Sequence, residues 1–123
     1  MLFHFIIFFL KNKKLFIIKK QWWPQAEAMI GFFNAWETTG QETYLEKSLN
    51  SWKFVQQHIL DAENGEWFWG VNEKYEVMNE DKVGLWKCPY HNGRACIELI
   101  TRINKIITNW QHKKIDNSGE KNH

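Results

Sequence analysis

Cysteine is scarce in this sequence, since Cys88 and Cys96 are the only two among 123 residues. A secreted domain of this length that relied on disulfides would carry more of them. Neither residue lies in a CxxC pair or at the Cys/His spacing that suits zinc. We therefore expect two reduced thiols, no metal centre and a cytoplasmic protein.

Long apolar runs are also lacking. The stretch Leu2–Leu10, interrupted by His4, is far shorter than the roughly 20 residues that cross a bilayer. Residues 1–20 contain no Ala, Gly or Ser, and their lysines follow the apolar run, which is the reverse of a secretory signal. Their residue types are those of A/T-rich codons. We interpret them as translated upstream or frame-shifted sequence joined to a genuine protein segment that begins at about residue 21. A membrane-anchoring or signal role and an ordinary helix or strand are the alternatives.

Neither charge sign dominates the sequence. The formal net charge is +2, residues 1–20 carry five Lys and no acid, and residues 21–110 carry eight basic and twelve acidic residues. A nucleic-acid-binding protein concentrates basic charge on its folded part, so that class is excluded. With 44% hydrophobic and 24% charged residues, the chain is typical of one globular domain or a piece of a larger one.

Helical periodicity dominates the sequence after residue 20. Pro24 suits the first turn of a helix and Gly40 its end, and a second helix over about 42–60 completes an antiparallel hairpin. A third helix is predicted over about 92–110, followed by a frayed polar tail, 111–123. The fold class is all-α. The inward-facing residues are expected to be Ala26, Ile30 and Phe33; Leu45, Leu49, Trp52, Val55 and Ile59; and Ala95, Leu99, Ile103, Ile106 and Trp110.

A stretch of about thirty residues without helical period separates the second and third helices. Loops of this length are uncommon in compact domains unless they are functional or disordered, and this one is rich in aromatic residues. We expect a strand over Glu66–Val71 and a partner strand near Tyr75–Met78, forming a small β-hairpin. Such an aromatic segment suits the wall of a sugar site, because pyranose C–H faces stack on aromatic rings.

The eight tryptophans divide into three groups. Trp36, Trp52 and Trp110 have helical spacing and are expected in the core. Trp67 and Trp69 are expected to pack the loop onto the helices, one or both of them. The remaining three lie at a helix entrance or in the loop, where lining a site and packing in the core are both open: Trp22, Trp23 and Trp86.

Three motifs resemble the carboxy-terminal part of the N-acylglucosamine 2-epimerase family, and within it the cellobiose 2-epimerases. They are WWPQAE at 22–27, GEW at 65–67 and WKCPYHNGR at 86–94. The last is quite specific, whereas GEW alone would be weak. The resemblance runs from about Gln21 to Ile103.

The resemblance implies the C-terminal part of an (α/α)6 barrel. It also implies inversion at C2 of the reducing-end glucose of a β-1,4-linked disaccharide such as cellobiose, through a cis-enediol and without a cofactor. His91 would be one of two acid/base residues, and Trp23 and Trp86 would stack on the sugar. Glu27 and Arg94 lie in the same motifs, without an assigned role.

The other acid/base histidine of the family, its partner Glu and an arginine belong to earlier helices. None of the remaining histidines, His4, His58, His112 and His123, is a replacement. We therefore expect a truncated or frame-shifted epimerase that is inactive alone, whose partners are the missing N-terminal barrel helices or further copies of itself. The alternatives are a sugar-binding module, an epimerase completed by a second polypeptide, an N-acylglucosamine 2-epimerase and an aldose–ketose isomerase.

Overall fold

A computed structural model describes residues 20–119 of the chain. Three α-helices dominate: α1 over Trp22–Thr39, α2 over Glu42–Phe54 and α3 over Tyr90–Gly119. One π-helical turn, Val55–Ile59, extends α2, and two short strands, β1 (Lys20–Gln21) and β2 (Gly70–Val71), form an antiparallel pair. Apart from Lys20, the leader predicted at 1–20 lies outside the described residues.

The first two helices form the predicted antiparallel hairpin. Gly40 ends α1 in the left-handed conformation, with φ of 69°, and donates its N–H to the Trp36 carbonyl. Glycine suits this position because it adopts positive φ without steric cost. Trp36 Nε1 reaches Glu42 near the turn, and Ser48 Oγ donates to the Met29 carbonyl further along. The later residue of α2 thus contacts the earlier residue of α1, which shows that the two helices run antiparallel.

Helix α3 runs parallel to α1. Arg94, near its start, pairs with Glu27, and Arg102, two turns later, contacts Asn34 and Glu37. The three helices therefore run up, down and up. Their shared core holds eight buried hydrophobic residues: Trp22, Ala26, Met29, Val55, Ile59, Trp67, Val71 and Ala95.

The loop between the π-helical turn and α3 folds onto this core. Leu60 and Trp67 form an antiparallel bridge, and Val71 forms another with Val77. The predicted hairpin between 66–71 and 75–78 is thus reduced to one bridge, because β2 pairs mainly with β1. A Cβ on Gly70 would lie 2.5 Å from the Lys20 carbonyl oxygen, so this pairing requires glycine.

Trp67 and Trp69 both pack the loop onto the helices, as predicted for one or both of them. Trp67 is buried in the core, and Trp69 is partly buried, with its ring centroid 4.7 Å from that of Trp22. The Trp69 carbonyl also accepts the backbone N–H of Trp22. The loop is therefore held directly against the first turn of α1.

The prediction that Leu49 of α2 faces the core was wrong. Leu49 is half exposed, and Ser48 is the buried residue of that turn. The Ser48 hydroxyl is satisfied by the Met29 carbonyl, so a polar side chain is tolerated at the helix contact. Trp52 lies at the margin of the core, whereas Val55 and Ile59 are fully buried. Trp36 is likewise only half-buried, against Phe33.

Two predictions for α3 were also wrong. The helix continues through the segment predicted to fray, as far as Gly119, because no Gly or Pro interrupts it after Gly93. Its second half also lacks a covering element among the described residues. Three residues expected to face inward are therefore exposed: Ile103, Ile106 and Trp110, the last at 59%.

Candidate functional site

A buried carboxylate joins α1 to α3. Glu27 is only 4% exposed and lies one residue after Ala26 on the core side of α1. Arg94 Nη2 donates to both of its oxygens at 2.6 Å, and His91 Nδ1 lies 2.8 Å from Oε1. His91 and Arg94 are three residues apart in the first turns of α3, so both reach the same carboxylate.

The charges of this cluster are mutually stabilised. Burial by itself raises the pKa of Glu27, but hydrogen bonds from Arg94 and His91 outweigh it and hold that pKa below its usual value. The Glu27 hydrogen bond in turn raises the pKa of Arg94. The carboxylate is therefore ionised at neutral pH, and the arginine stays charged.

The Glu27 contact determines how the His91 ring can act. An ionised carboxylate only accepts hydrogen bonds, so Nδ1 of His91 carries the proton that it donates. In the neutral ring, Nε2 is then the basic nitrogen. The His91 side chain is 34% exposed, so the ring is oriented by a buried group while remaining accessible. This arrangement suits a general base whose ring is held in one orientation by a fixed carboxylate.

Trp23 lies beside His91. Their ring centroids are 5.9 Å apart at an interplanar angle of 44°, and Trp23 Nε1 donates to Gln21 Oε1. Tyr90 also contacts His91 edge-on, at 5.2 Å between ring centroids. The structure thus brings together two residues that the sequence places in separate motifs, Trp23 and His91.

Trp22 and Trp86, whose positions the sequence left open, lie in two different environments. Trp22 is buried in the core against Trp69 and does not line the site. Trp86, predicted to stack on a sugar, lies on the loop before α3 and is 86% exposed. Of the two tryptophans predicted to stack on a sugar, Trp23 therefore has a ring contact with His91, whereas Trp86 is exposed on the loop.

Sequence reasoning assigned no role to Glu27 or Arg94, although a signal was present. Glu27 lies four residues after Trp23 and three before Ile30, on the apolar stripe of its helix. A charged residue on such a stripe requires a partner when it is buried. Arg94, one turn after His91, is that partner.

The described part of the chain has neither a metal-binding cluster nor a membrane-spanning helix. Within residues 20–119, no group of three or more His, Cys, Asp or Glu side chains is arranged to hold a metal ion. Over the same residues, no helix combines the length and apolarity needed to cross a membrane. Cys88 is exposed and Cys96 half-buried, both as free thiols, and burial raises the pKa of Cys96.

Comparison with known proteins places the chain in a family. The family model for N-acylglucosamine 2-epimerase (GlcNAc 2-epimerase) matches residues 4–95. This range includes most of the leader, and the domain boundary expected at residue 21 stays a prediction. A cellobiose 2-epimerase from Bacteroides fragilis is 44% identical over 80 residues, which are 64% of this chain and 20% of that protein. The chain thus spans about a fifth of the length of such relatives.

Solved structures agree with the sequence comparison. The structure of cellobiose 2-epimerase from Spirochaeta thermophila matches with a TM-score of 0.67 and 41% identity, over 72% of this chain and 23% of that one. Among the relatives found by sequence, a D-mannose isomerase from Marinomonas mediterranea is 30% identical over 66% of this chain and 21% of its own length. The described helices are the carboxy-terminal part of an (α/α)6 barrel, and the chain belongs to the N-acylglucosamine 2-epimerase family.

Proposed function

We propose that the chain is part of a carbohydrate 2-epimerase that inverts C2 of the reducing-end glucose of a β-1,4-linked disaccharide such as cellobiose. The observation that supports this most directly is the contact of His91 with the buried Glu27 carboxylate, itself paired with Arg94. The 44% identity to a cellobiose 2-epimerase supports the choice of substrate.

The proposed chemistry begins with the opened sugar, whose C1 carbonyl acidifies the C2 proton. His91 Nε2 accepts that proton, the C2–H electron pair forms the C1–C2 double bond of a cis-enediol, and the C1 carbonyl oxygen takes up a proton from water. Glu27 holds the His91 ring in this orientation, and Arg94 keeps that carboxylate ionised. A proton donor on the preceding barrel helices then protonates C2 from the opposite face while the C1 hydroxyl returns its proton to water, which restores the C1 carbonyl and gives the mannose epimer. His91 afterwards releases its proton to water. The carbonyl supplies the acidity, so the proposal includes no cofactor.

Two aromatic residues would hold the sugar. Trp23 lies next to the His91 ring, so a pyranose stacked on it would place its carbons near Nε2. Trp86 is exposed on the loop and is available to stack on the second ring of a disaccharide. Aromatic stacking positions the substrate for proton transfer and thereby contributes to rate as well as to affinity.

We infer that the chain alone has no epimerase activity. Inversion needs groups on both faces of the enediol, because a single base returns the proton to the side from which it came. Of the other histidines in residues 20–119, His58 packs between Phe54 and Tyr75. His112 lies on the exposed final part of α3, more than five turns beyond His91. Neither lies opposite His91.

An aldose–ketose isomerase is the second candidate, and the similarity to a D-mannose isomerase favours it. The same enediol then receives its proton at C1 instead of C2, which gives a ketose. Both reactions need the base at C2, so the geometry of His91 supports either. The higher identity to the cellobiose 2-epimerase supports epimerisation over isomerisation.

The experiment joins this chain to the preceding barrel helices of a cellobiose 2-epimerase and supplies cellobiose in deuterated water. We expect glucosylmannose that carries deuterium at C2. A deuterated ketose would favour the isomerase. Sugar binding without C2 exchange would favour a non-catalytic sugar-binding module, and absence of both binding and exchange would exclude the proposal.

A further inference from the structure

One carboxylate oxygen in the loop binds two residues that directly follow predicted site residues. Glu66 Oε1 accepts a hydrogen bond from Lys87 Nζ at 3.1 Å and another from Asn92 Nδ2 at 2.8 Å. Lys87 comes immediately after Trp86, and Asn92 immediately after His91. This one oxygen atom therefore connects the loop that carries Trp86 to the first turn of α3, which carries His91.

Lys87 is an unusual lysine because its side chain is completely buried. Its ammonium also donates to the Lys82 carbonyl at 2.6 Å and lies 5.3 Å from the centre of the Trp22 ring. A buried ammonium without such partners would be strongly unfavourable. The residue is thus an internal anchor, while its neighbour Trp86 remains exposed.

The backbone of Glu66 has an unusual conformation that neighbouring backbone contacts maintain. Its φ of 64° lies in the left-handed region, which residues other than glycine rarely adopt. The turn is maintained by the Asp61 N–H, which donates to the Glu66 carbonyl, and by the Leu60–Trp67 bridge. A conformation of this kind persists where the surroundings determine it, and it often has a functional purpose.

The carboxyl group of Glu66 is charged in this environment. Burial raises its pKa, but hydrogen bonds from the Trp67 N–H, Lys87 and Asn92 outweigh that effect and lower it overall. Lys87 and Asn92 therefore face a carboxylate at neutral pH. Ionic hydrogen bonds are stronger than neutral ones, which suits a contact that has to hold two segments in register.

We propose that Glu66, Lys87 and Asn92 are positioning residues that keep His91 against Glu27 and direct Trp86 outward. This role rests on the proposed function of His91, but the three residues do not touch the reacting atoms. Lys87 and Asn92 bracket the turn that enters α3, so releasing Glu66 would let the first turn of α3 shift. The Glu27–His91 hydrogen bond would then lengthen or break.

The test uses the imidazole N–H of His91 as a spectroscopic signature. An imidazole proton shared with a buried carboxylate gives an NMR signal downfield of the backbone amides, and its exchange with water is slowed. The signal is assigned in the 15N-labelled protein, with the chain joined to the preceding barrel helices of a cellobiose 2-epimerase, by its loss in His91→Asn. We expect Lys87→Met to weaken it by about fivefold or more through faster local opening.

Lys82→Met is the matched control. Lys82 lies on the same loop, and its ammonium pairs with Asp61 and donates to the Gly65 carbonyl, whereas the Glu66 carboxylate accepts from Lys87 and Asn92. A purely structural effect of losing a loop ion pair would weaken the signal in both variants, whereas positioning predicts that Lys82→Met retains it. Equal loss in both variants would therefore overturn the proposal, as would an unchanged signal in Lys87→Met.

Lys87→Met leaves the Glu66 carboxylate without its cation, and misfolding for that reason would also weaken the signal. A second variant separates the two effects. The double change Glu66→Gln/Lys87→Met removes both charges, so no buried charge is unpaired. We expect wild-type helix content by circular dichroism together with a weakened His91 signal; a full signal would overturn the proposal. If the unsubstituted chain gave no such signal, the Glu27–His91 contact and the proposed function would fail instead.

Discussion

Glu27 and His91 are 64 residues apart in the sequence, yet His91 Nδ1 lies 2.8 Å from Glu27 Oε1. The contact depends on the parallel approach of α1 and α3. Ala26 and Ala95, which adjoin Glu27 and Arg94, are both fully buried in the core between the helices. Small side chains at these positions allow the backbones to approach, so the core packing and the site geometry are coupled.

His91→Asn tests the acid/base role. In the completed barrel, we expect the rate of epimerisation to fall about 10²–10⁴-fold, because Asn cannot accept and return a proton. Asn retains hydrogen-bonding capacity, so the affinity for cellobiose should stay close to that of the wild type. The measurement is exchange of the C2 proton with deuterated water; exchange at the wild-type rate would show that His91 is structural.

Glu27→Gln tests the buried pair. Gln retains the size but not the charge, so Arg94 and His91 lose a buried ionic acceptor, and we expect the free energy of unfolding to fall by about 1–3 kcal/mol. Glu98→Gln is the matched control, because Glu98 also pairs with Arg94 at 3.2 Å but is partly exposed. It should cost about 0.5 kcal/mol or less. Urea denaturation followed by circular dichroism measures both, and similar costs would contradict the burial argument.

The tryptophans are tested by sugar binding. In the completed barrel, Trp23→Ala and Trp86→Ala should each raise KM about 2–10-fold, as expected for loss of one aromatic stacking partner. They should also lower kcat, since stacking positions the ring. Leu85→Ala is the control, because Leu85 adjoins Trp86 and is 98% exposed. The isolated chain should bind cellobiose only weakly by tryptophan fluorescence; sub-millimolar affinity would instead support a sugar-binding module.

Acid should destabilise the chain in a defined pH range. Hydrogen bonds from Lys82 and from the Asn64 and Glu63 N–H groups lower the pKa of Asp61 from 3.8 to about 2. A carboxyl whose pKa is lower in the folded state stabilises the protein above its unfolded pKa and loses that effect as pH falls toward the folded value. We therefore expect the thermal midpoint to decrease from pH 3.8 to about 2. Asp61→Asn should flatten this decrease, and an unchanged slope would contradict the assignment.

Association of the isolated chain is expected from the exposed side of α3. Ile97, Ile100 and Ile107 lie on one side of this helix and are each about half exposed or more. Contiguous apolar surface of this kind promotes association, so light scattering should show oligomers at micromolar concentration. Ile100→Glu/Ile107→Glu should shift them toward monomer, whereas Asn109→Glu, on the opposite side, should not. A monodisperse wild-type monomer that unfolds cooperatively would contradict this.

The local elements could be predicted because local chemistry determines them. Pro24 and Gly40 bound α1 through constraints on their own backbone, and the hairpin follows from the short connection after Gly40. The family motifs likewise group His91, Trp23 and Trp86 without any structure. These features depend on residues that are close in sequence or on motifs that can be recognised from the sequence alone.

Tertiary structure decided what periodicity leaves open. A repeat shows which residues share a helix side but not whether another element covers that side, so Ile103 and Trp110 were expected to be buried and are exposed. The same limit separates Trp22, packed against Trp69, from Trp86, which projects into solvent. The burial of Glu27 and Lys87 depends on partners more than twenty residues away, because a charge enters the interior only where the fold brings its counter-charge.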